Sequence, residues 1–341
     1  MTMTRIGLAG YGFGGRIFHA PLIASAAGAE LAGVVTRSPE RRAELAADHP
    51  GVPAFDSLAG LAAAGADAVA ISTPADTHIP LVLEAIELGL AVVCDKPFAL
   101  DAAQAREAVE AAGRAGIVLS VYQNRRWDSD LLTVRRLLDE GELGDVTVFE
   151  SAFERYSLDP VPASGAGILR DFGSHLVDQA LLLWGPVASV YGEVGAHDER
   201  LFAVLNHAGG MTTHLSGDWV QGSPAPRFRV RGSKGAYVVY GMDIQEPALI
   251  AGRTPAAEGD AWGTEPEERW GRLQRGDDSE PVRSERGRWD TYYPAFAAAV
   301  RGEGPVPVDP RDAIAALTVI DAIRRSAKEG RSIELAVAAP A

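Results

Sequence analysis

Cysteine occurs once in the 341 residues, at Cys94. A single thiol rules out a disulfide within the chain and a metal site built from several thiolates, and it fits a reducing compartment. Cys94 closes the apolar run Ala91-Val92-Val93, which is the setting of a buried strand residue rather than a reactive thiol. Positive charge is also short: 32 Lys and Arg stand against 46 Asp and Glu, a formal net charge of −14. Such a surface repels phosphate backbones. It argues against nucleic-acid binding and leaves room for a local basic pocket around one phosphorylated cofactor. No apolar run is long enough to span a bilayer. Met1 to Arg5 leads at once into a strand-like run, without the charged, apolar and small-residue order of a secretion signal. A cytoplasmic protein with no membrane partner is expected.

Length and apolar content are what the chain has in supply. Its 341 residues exceed one ordinary core, so two domains are expected, and 47% hydrophobic residues can fill them. Short apolar runs recur through the first third: Ile6 to Ala9, Leu31 to Val35, Ala68 to Ser72, Leu90 to Cys94 and Val118 to Tyr122. Each reads as a buried parallel strand, with helices between. Ser38 before Pro39 and Asp101 before an Ala- and Glu-rich stretch are N-caps in position; Gly89 and Gly116 stand where helices end. This alternation predicts an α/β fold whose N-terminal domain, residues 1–124, is a doubly wound parallel sheet of the Rossmann kind.

After Tyr122 the pattern changes. A helix is expected from about Trp127 to Glu140, stopped by Gly141, and another from about Leu169 to Trp184. The rest is β-prone: Val146 to Phe153, Val187 to Val194, Leu201 to Asn206, Met211 to Trp219, Phe228 to Val230 and Ala236 to Tyr240. Consecutive strands without helices imply a C-terminal α+β domain, residues 125–341, with an open, predominantly antiparallel sheet. Glu246 to Arg288, rich in Gly, Pro, Glu and Arg, reads as a long surface excursion. Helices return at about Tyr292 to Val300 and Pro310 to Lys328, and the last is a candidate to pack back on the N-terminal domain.

Gly10-Tyr11-Gly12-Phe13-Gly14-Gly15 follows the first strand and opens a helix. Glycines at 10, 12 and 15 allow a tight turn, close approach of a pyrophosphate and close helix–strand packing, with the helix N-terminus facing the phosphates. The second strand ends in Thr36-Arg37-Ser38, with no carboxylate at its tip. An NAD site usually carries an acidic residue there, whereas Arg37 suits a 2′-phosphate and adenine, helped by Thr36, Ser38, Arg41 or Arg42. NADP is therefore expected over NAD. Ser72-Thr73-Pro74 closes another strand at the sheet's carboxyl edge, with Thr77 and His78 beyond it. His78 is equally suited to touching ribose or nicotinamide and to a local helix-start hydrogen bond. Asp95-Lys96-Pro97 places a lysine at the same edge, able to polarise a substrate oxygen. At helical spacing Asp171, His175 and Asp178 share one face, opposite Leu176, Val177, Leu181 and Leu182. A carboxylate–imidazole pair suits proton transfer; a polar helix face at a domain junction has the same pattern. No further residues complete a metal ligand set.

Taken together these motifs resemble the glucose–fructose oxidoreductase and inositol dehydrogenase family, Gfo/Idh/MocA, over nearly the whole chain. Gly10 to Gly15, Asp95-Lys96-Pro97, and Gly167 through Asp171 to His175 stand in its order and spacing. Gly10 to Leu22, Ser120 to Asp128, Asp171 to Gln179 and Tyr240 to Gly263 look most like the bacterial NADP-dependent scyllo-inositol dehydrogenases within it. The resemblance implies a Rossmann domain, an open sheet carrying the oligomer interface of a homodimer or homotetramer, and catalytic positions at Lys96, Asp171 and His175. It also implies Gln123 beside the nicotinamide. Three departures stand out. Asp95 replaces a glutamate, Gln123 stands where relatives often carry histidine, and the stretch 156–165 is shorter and lacks an Arg-Trp-Arg segment.

The expected chemistry is reversible oxidation of a secondary hydroxyl on an inositol-like polyol or sugar. His175 would act as general base, Asp171 would orient it or bind a neighbouring hydroxyl, and Lys96 would stabilise the alkoxide. Asn124, Arg126, Trp127 and Tyr156 are the expected substrate liners in the cleft between domains. Two other readings stay open: an NADP-binding regulatory protein without catalysis, and a reductase of an imine, enone or dihydrodiol.

Overall fold

The computed structural model describes residues 3–156 and 167–336. The shortened stretch noted at 156–165 therefore lies, from residue 157 onward, outside the described residues. The chain divides into two compact units. The first comprises Met1–Asn124, Gln245–Trp262 and Arg288–Ile314; the second comprises Arg125–Ile244, Gly263–Gly287 and Ala315–Ala341. A single boundary at residue 124 thus does not describe the division, because two later stretches return to the first unit.

The first unit is built on six strands: β1 (Thr4–Ala9), β2 (Ala29–Val35), β3 (Ala54–Phe55), β4 (Ala68–Ile71), β5 (Ala91–Asp95) and β6 (Leu119–Tyr122). Every residue of β4 and β6 is buried, as expected of strands covered on both faces. The order is β3-β2-β1-β4-β5-β6, with all pairs parallel. This is the Rossmann arrangement, and chain order reverses between β1 and β4, so a crevice opens beyond their carboxyl ends. Helices α1 (Ala20–Ala24), α2 (Pro39–Asp48), α3 (Leu58–Ala63), α4 (His78–Glu87) and α5 (Ala102–Ala115) lie between the strands. Local chemistry sets their ends. Ser38 accepts from Arg41 N at 3.3 Å, Asp101 accepts from Gln104 N at 2.9 Å, and α5 stops at left-handed Gly116.

In the second unit α6 (Ser129–Asp139) and α7 (Gly167–Trp184) accompany β7 (Val146–Glu154), β8 (Val187–Val194), β9 (Arg200–His207), β10 (Thr212–Asp218), β11 (Phe228–Gly232), β12 (Gly235–Val239), β13 (Gly271–Arg275), β14 (Asp278–Val282) and β15 (Ile333–Glu334). They form one nine-stranded sheet in the order β14-β13-β12-β11-β7-β10-β9-β8-β15. Among the described residues only β7 and β10 run parallel in it. Helix α7 packs on β7, β9 and β10. Leu131, Val134 and Leu137 of α6 join Phe149, Phe228, Val230 and Tyr237 in a buried apolar cluster.

The expected surface excursion from Glu246 to Arg288 is instead largely regular structure. It holds helix Gln245–Ile250 and the β13–β14 hairpin. Trp262 is fully buried, its Nε1 donating to Gln245 Oε1 at 3.0 Å, and the same oxygen accepts from Trp289 N at 2.8 Å. Charged residues disguise the hairpin because it forms a sheet edge: Asp278 to Pro281 are all exposed.

Candidate active site

The glycine turn begins where β1 ends. Gly10 has φ +95°, and a Cβ there would stand 2.3 Å from Ser72 O, so only glycine fits. A Cβ on Gly15 would lie 2.2 Å from Gly10 O, which is the close packing the motif requires. At Gly12 the same construction meets nothing within 4 Å. The turn is thus tight at both ends and open in the middle, where a pyrophosphate needs the backbone bare. These residues fit a dinucleotide. The turn feeds a single π-helical segment, Gly14–His19. Tyr11 is buried, with its hydroxyl donating to Asp48 Oδ2 at 3.1 Å, and Phe13 is exposed.

Beneath the turn lies Asp95, the last residue of β5. Its Oδ1 accepts from Lys96 N at 2.8 Å, and its Oδ2 accepts from Ser72 Oγ at 3.0 Å. The buried His19 ring places Nε2 3.3 Å from the same Oδ2. A Cβ on Gly14 would approach Ser72 Oγ to 2.7 Å and Asp95 Oδ2 to 3.3 Å, so this pair directly underlies the glycine turn. Burial alone would raise the Asp95 carboxyl; the nearby His19 ring, with Lys96, outweighs it and brings the value down to about 2. Lys96 itself is half-buried. His78 resolves toward the local role. Its Nδ1 is 2.8 Å from Pro97 O and its Nε2 is 2.9 Å from Thr73 O, so both nitrogens brace the loops after β4 and β5.

The tip after β2 is basic. Arg37 is exposed and its Nε donates to Asp56 O at 3.1 Å; Arg42 donates to Thr36 O at 3.0 Å and to Asp56 Oδ1 at 2.8 Å. Ser38 Oγ serves as the α2 cap, and Arg41 pairs with Glu44 at 2.7 Å. Thr73 Oγ1 lies 2.6 Å from Thr77 Oγ1, and Pro74 O accepts from Thr77 Oγ1 at 2.6 Å. Gln123 and Asn124, which follow β6, are both buried.

In the second unit α7 carries Asp171, half-buried, and His175, 4% exposed. The His175 ring lies 6.1 Å from that of Phe153, which stacks on Phe172 at 3.9 Å; Trp219 and the Arg155 guanidinium extend the stack. Asp178 is set apart from the other two. It is gripped by Arg126 through Nε to Oδ2 at 2.8 Å and Nη2 to Oδ1 at 2.6 Å. Arg126, expected to line the substrate cleft, is thus anchored to α7. Trp127 is half-buried, and Tyr156 is exposed, bridging to Val220. Sequence reasoning missed Gln179 and Arg227. Gln179 donates to Arg125 O at 2.9 Å and accepts from Arg227 Nη2 at 2.6 Å, tying the 125–130 segment to α7. Its place four residues after His175 was the available signal; Arg227 gave none.

A parallel sheet in this order, with a glycine turn open at Gly12, defines a dinucleotide-binding protein. Comparison with known proteins carries this further. Residues 4–123 match the oxidoreductase family model described as an NAD-binding Rossmann fold, and residues 135–335 match its C-terminal alpha/beta domain. The chain belongs to the Gfo/Idh/MocA oxidoreductase family, and its cofactor is a nicotinamide dinucleotide. It is 38% identical over 349 residues to the uncharacterized oxidoreductase YdgJ of Escherichia coli, covering 97% of this chain and 99% of that one. It is 32% identical over 347 residues to the scyllo-inositol 2-dehydrogenase (NADP(+)) IolW of Bacillus subtilis, covering 97% and 96%. The solved structure of Bacillus subtilis YvaA superposes with a TM-score of 0.90 at 32% identity, covering 98% and 100%. Among the described residues no helix is long and apolar enough to cross a membrane.

Proposed function

We propose that this oxidoreductase interconverts a secondary hydroxyl and a ketone on an inositol-like polyol or sugar, with NADP preferred over NAD. The observation that carries the reading is the shared floor of the glycine turn and the lysine loop. Ser72 and Asp95 are in contact, a Cβ on Gly14 would meet both, and Lys96 is the next residue, which supports a lysine beside the cofactor. Gly10 to Gly15 would hold the pyrophosphate and Arg37, with Thr36 and Ser38, the 2′-phosphate. Ser72, Thr73, Pro74, Asp95 and Gln123 would border the rest of it. When bound, the nicotinamide supplies the two-electron acceptor. The name of the relative IolW supports both the polyol and the NADP preference.

Lys96 stabilises negative charge developing on the substrate oxygen. His175 takes the hydroxyl proton, and Asp171 orients that imidazole or binds a neighbouring hydroxyl. Asn124, Trp127 and Tyr156 contact the remaining hydroxyls. A sheet face that leaves Phe202 39% exposed supports assembly into a homodimer or homotetramer, which sedimentation would reveal. Lys96→Ala tests the chemistry. Turnover should fall about 10²–10³-fold, as when one oxyanion donor is removed, with cofactor affinity kept. A cofactor-sensing protein would show no turnover in either form.

A further inference from the structure

His19 ends the segment that the glycine turn begins, and the mechanism above does not use it. Its ring is wholly buried. A buried imidazole needs partners at its nitrogens. Nδ1 lies 2.5 Å from Tyr293 Oη, and Nε2 lies 3.3 Å from Asp95 Oδ2. The directions of these contacts follow from the partners. A carboxylate only accepts, so the proton belongs on Nε2. Burial, then the neighbouring tyrosines, push the Tyr293 hydroxyl well up, so it keeps its proton and donates to Nδ1. Tyr293 is itself fixed. It stacks on Tyr122 at 6.0 Å and meets Tyr292 edge-on at 5.5 Å, and Tyr292 donates to Ser120 Oγ at 2.9 Å.

Asp95 is consequently met from three directions: by the N–H of Lys96 in its own turn, by the Ser72 hydroxyl from the loop after β4, and by the His19 ring from the glycine segment, whose Nε2 stands 3.3 Å from Oδ2, an ion-pair distance rather than a formed hydrogen bond. One oxygen serves the Lys96 backbone and the other serves Ser72 and His19. A carboxylate that rotates to replace a lost donor on the second oxygen drags the first, and the lysine's backbone moves with it.

We propose that His19 is a positioning residue. It fixes the Asp95 carboxylate so that the Asp95-Lys96 turn presents the lysine side chain in one orientation, and Tyr293 sets the imidazole tautomer that makes this possible. The proposal rests on the reading that Lys96 acts on substrate. It gives the late stretch around Tyr293 a purpose in the first unit, and it links the cofactor turn to the catalytic loop through one side chain.

Two substitutions separate positioning from packing. In His19→Gln the side-chain amide reaches the place of Nε2 and can still donate to Asp95. In His19→Asn the amide stands where Nδ1 was and faces only Tyr293. With the full-length protein, kcat is expected to fall about a hundredfold in H19N, the scale of a misplaced catalytic group, and by much less in H19Q, with cofactor Kd the same in both. Equal losses in both variants at equal melting temperature, or no loss in either, overturn the proposal. A second readout needs no turnover. The chain has seven histidines, and the His19 signal in a spectrum of the ¹⁵N-histidine-labelled protein is the one missing from H19Q. It is expected to report the Nε2–H tautomer, and Tyr293→Phe is expected to mix the tautomers. A wild-type Nδ1–H tautomer, or a Tyr293→Phe spectrum unchanged from wild type, overturns the proposal whatever the activity. The expected spectrum from a protein that turns over no substrate upholds the His19–Asp95 lock and removes only the role of Lys96.

Discussion

The Asp95 carboxyl in the first unit is held down at about 2, whereas burial pushes those of Asp128 and Asp130 in the second unit up from the usual carboxylate range. All three side chains are largely withdrawn from water, so burial alone does not decide the outcome. The neighbours do. Asp95 meets a backbone N–H, a hydroxyl, an imidazole and the nearby Lys96. Asp128 pairs with Arg125 at 3.2 Å and Asp130 with Arg227 at 3.2 Å, but they repel each other and Asp243, whose Oδ2 accepts from Ser129 N at 2.8 Å. The first arrangement keeps an anion available beside the candidate catalytic lysine. The second is an anchor: through Arg227 and Gln179 it fastens the 125–130 segment to the helix that carries Asp171 and His175.

The largest effect should come from breaking the anchor. Arg227→Met leaves Asp130 buried without its cation, and such a loss costs about 3–5 kcal/mol, visible as a lower denaturant midpoint. An unchanged midpoint would remove the anchor from the account. Asp95→Asn comes next. With a folded value near 2 and an unfolded value near 3.9, the ionised carboxyl contributes about 2–3 kcal/mol at neutral pH. Because the folded value is the depressed one, that contribution is complete above about pH 4 and disappears as pH falls toward 2. The stability gap between wild type and Asp95→Asn should therefore narrow below pH 4, and a gap that holds constant would contradict the charge assignment. Arg37→Glu should shift the ratio of kcat/KM for NADP+ over NAD+ by at least about tenfold toward NAD+, some 1.4 kcal/mol. The smallest effect is the sharpest contrast. Asp128→Asn keeps a side-chain oxygen to accept from Arg125 and removes only a charge that burial and the Asp130 and Asp243 carboxylates already disfavour, so its cost at neutral pH should stay within about 1 kcal/mol, well below that of Asp95→Asn.

Much of the fold was legible because parallel strands buried on both faces write themselves as apolar runs, as Ala68 to Ile71 and Ala91 to Cys94 do. The two-residue β3 left no such run, and the β13–β14 hairpin hid behind Arg272, Asp278 and Glu280. The return of Gln245–Trp262 and Arg288–Ile314 to the first unit was not legible, since nothing local in those stretches records their partner. The site divides the same way. The glycine turn and Asp95-Lys96-Pro97 are contiguous motifs with local geometry. His19 finds Tyr293 across 274 residues, and Arg227 finds Ser151 across 76, so no spacing rule could pair them. Spacing put Asp178 on a catalytic face, and only tertiary structure shows Arg126 holding it.

The most direct test of the central claim is nicotinamide absorbance on mixing the purified chain with NADP+ or NAD+ and a panel of inositols and sugars. The account predicts reduction of NADP+ by at least one inositol-like polyol, faster than with NAD+. Tight NADP+ binding with no reduction across the whole panel would contradict it and favour a cofactor-sensing protein.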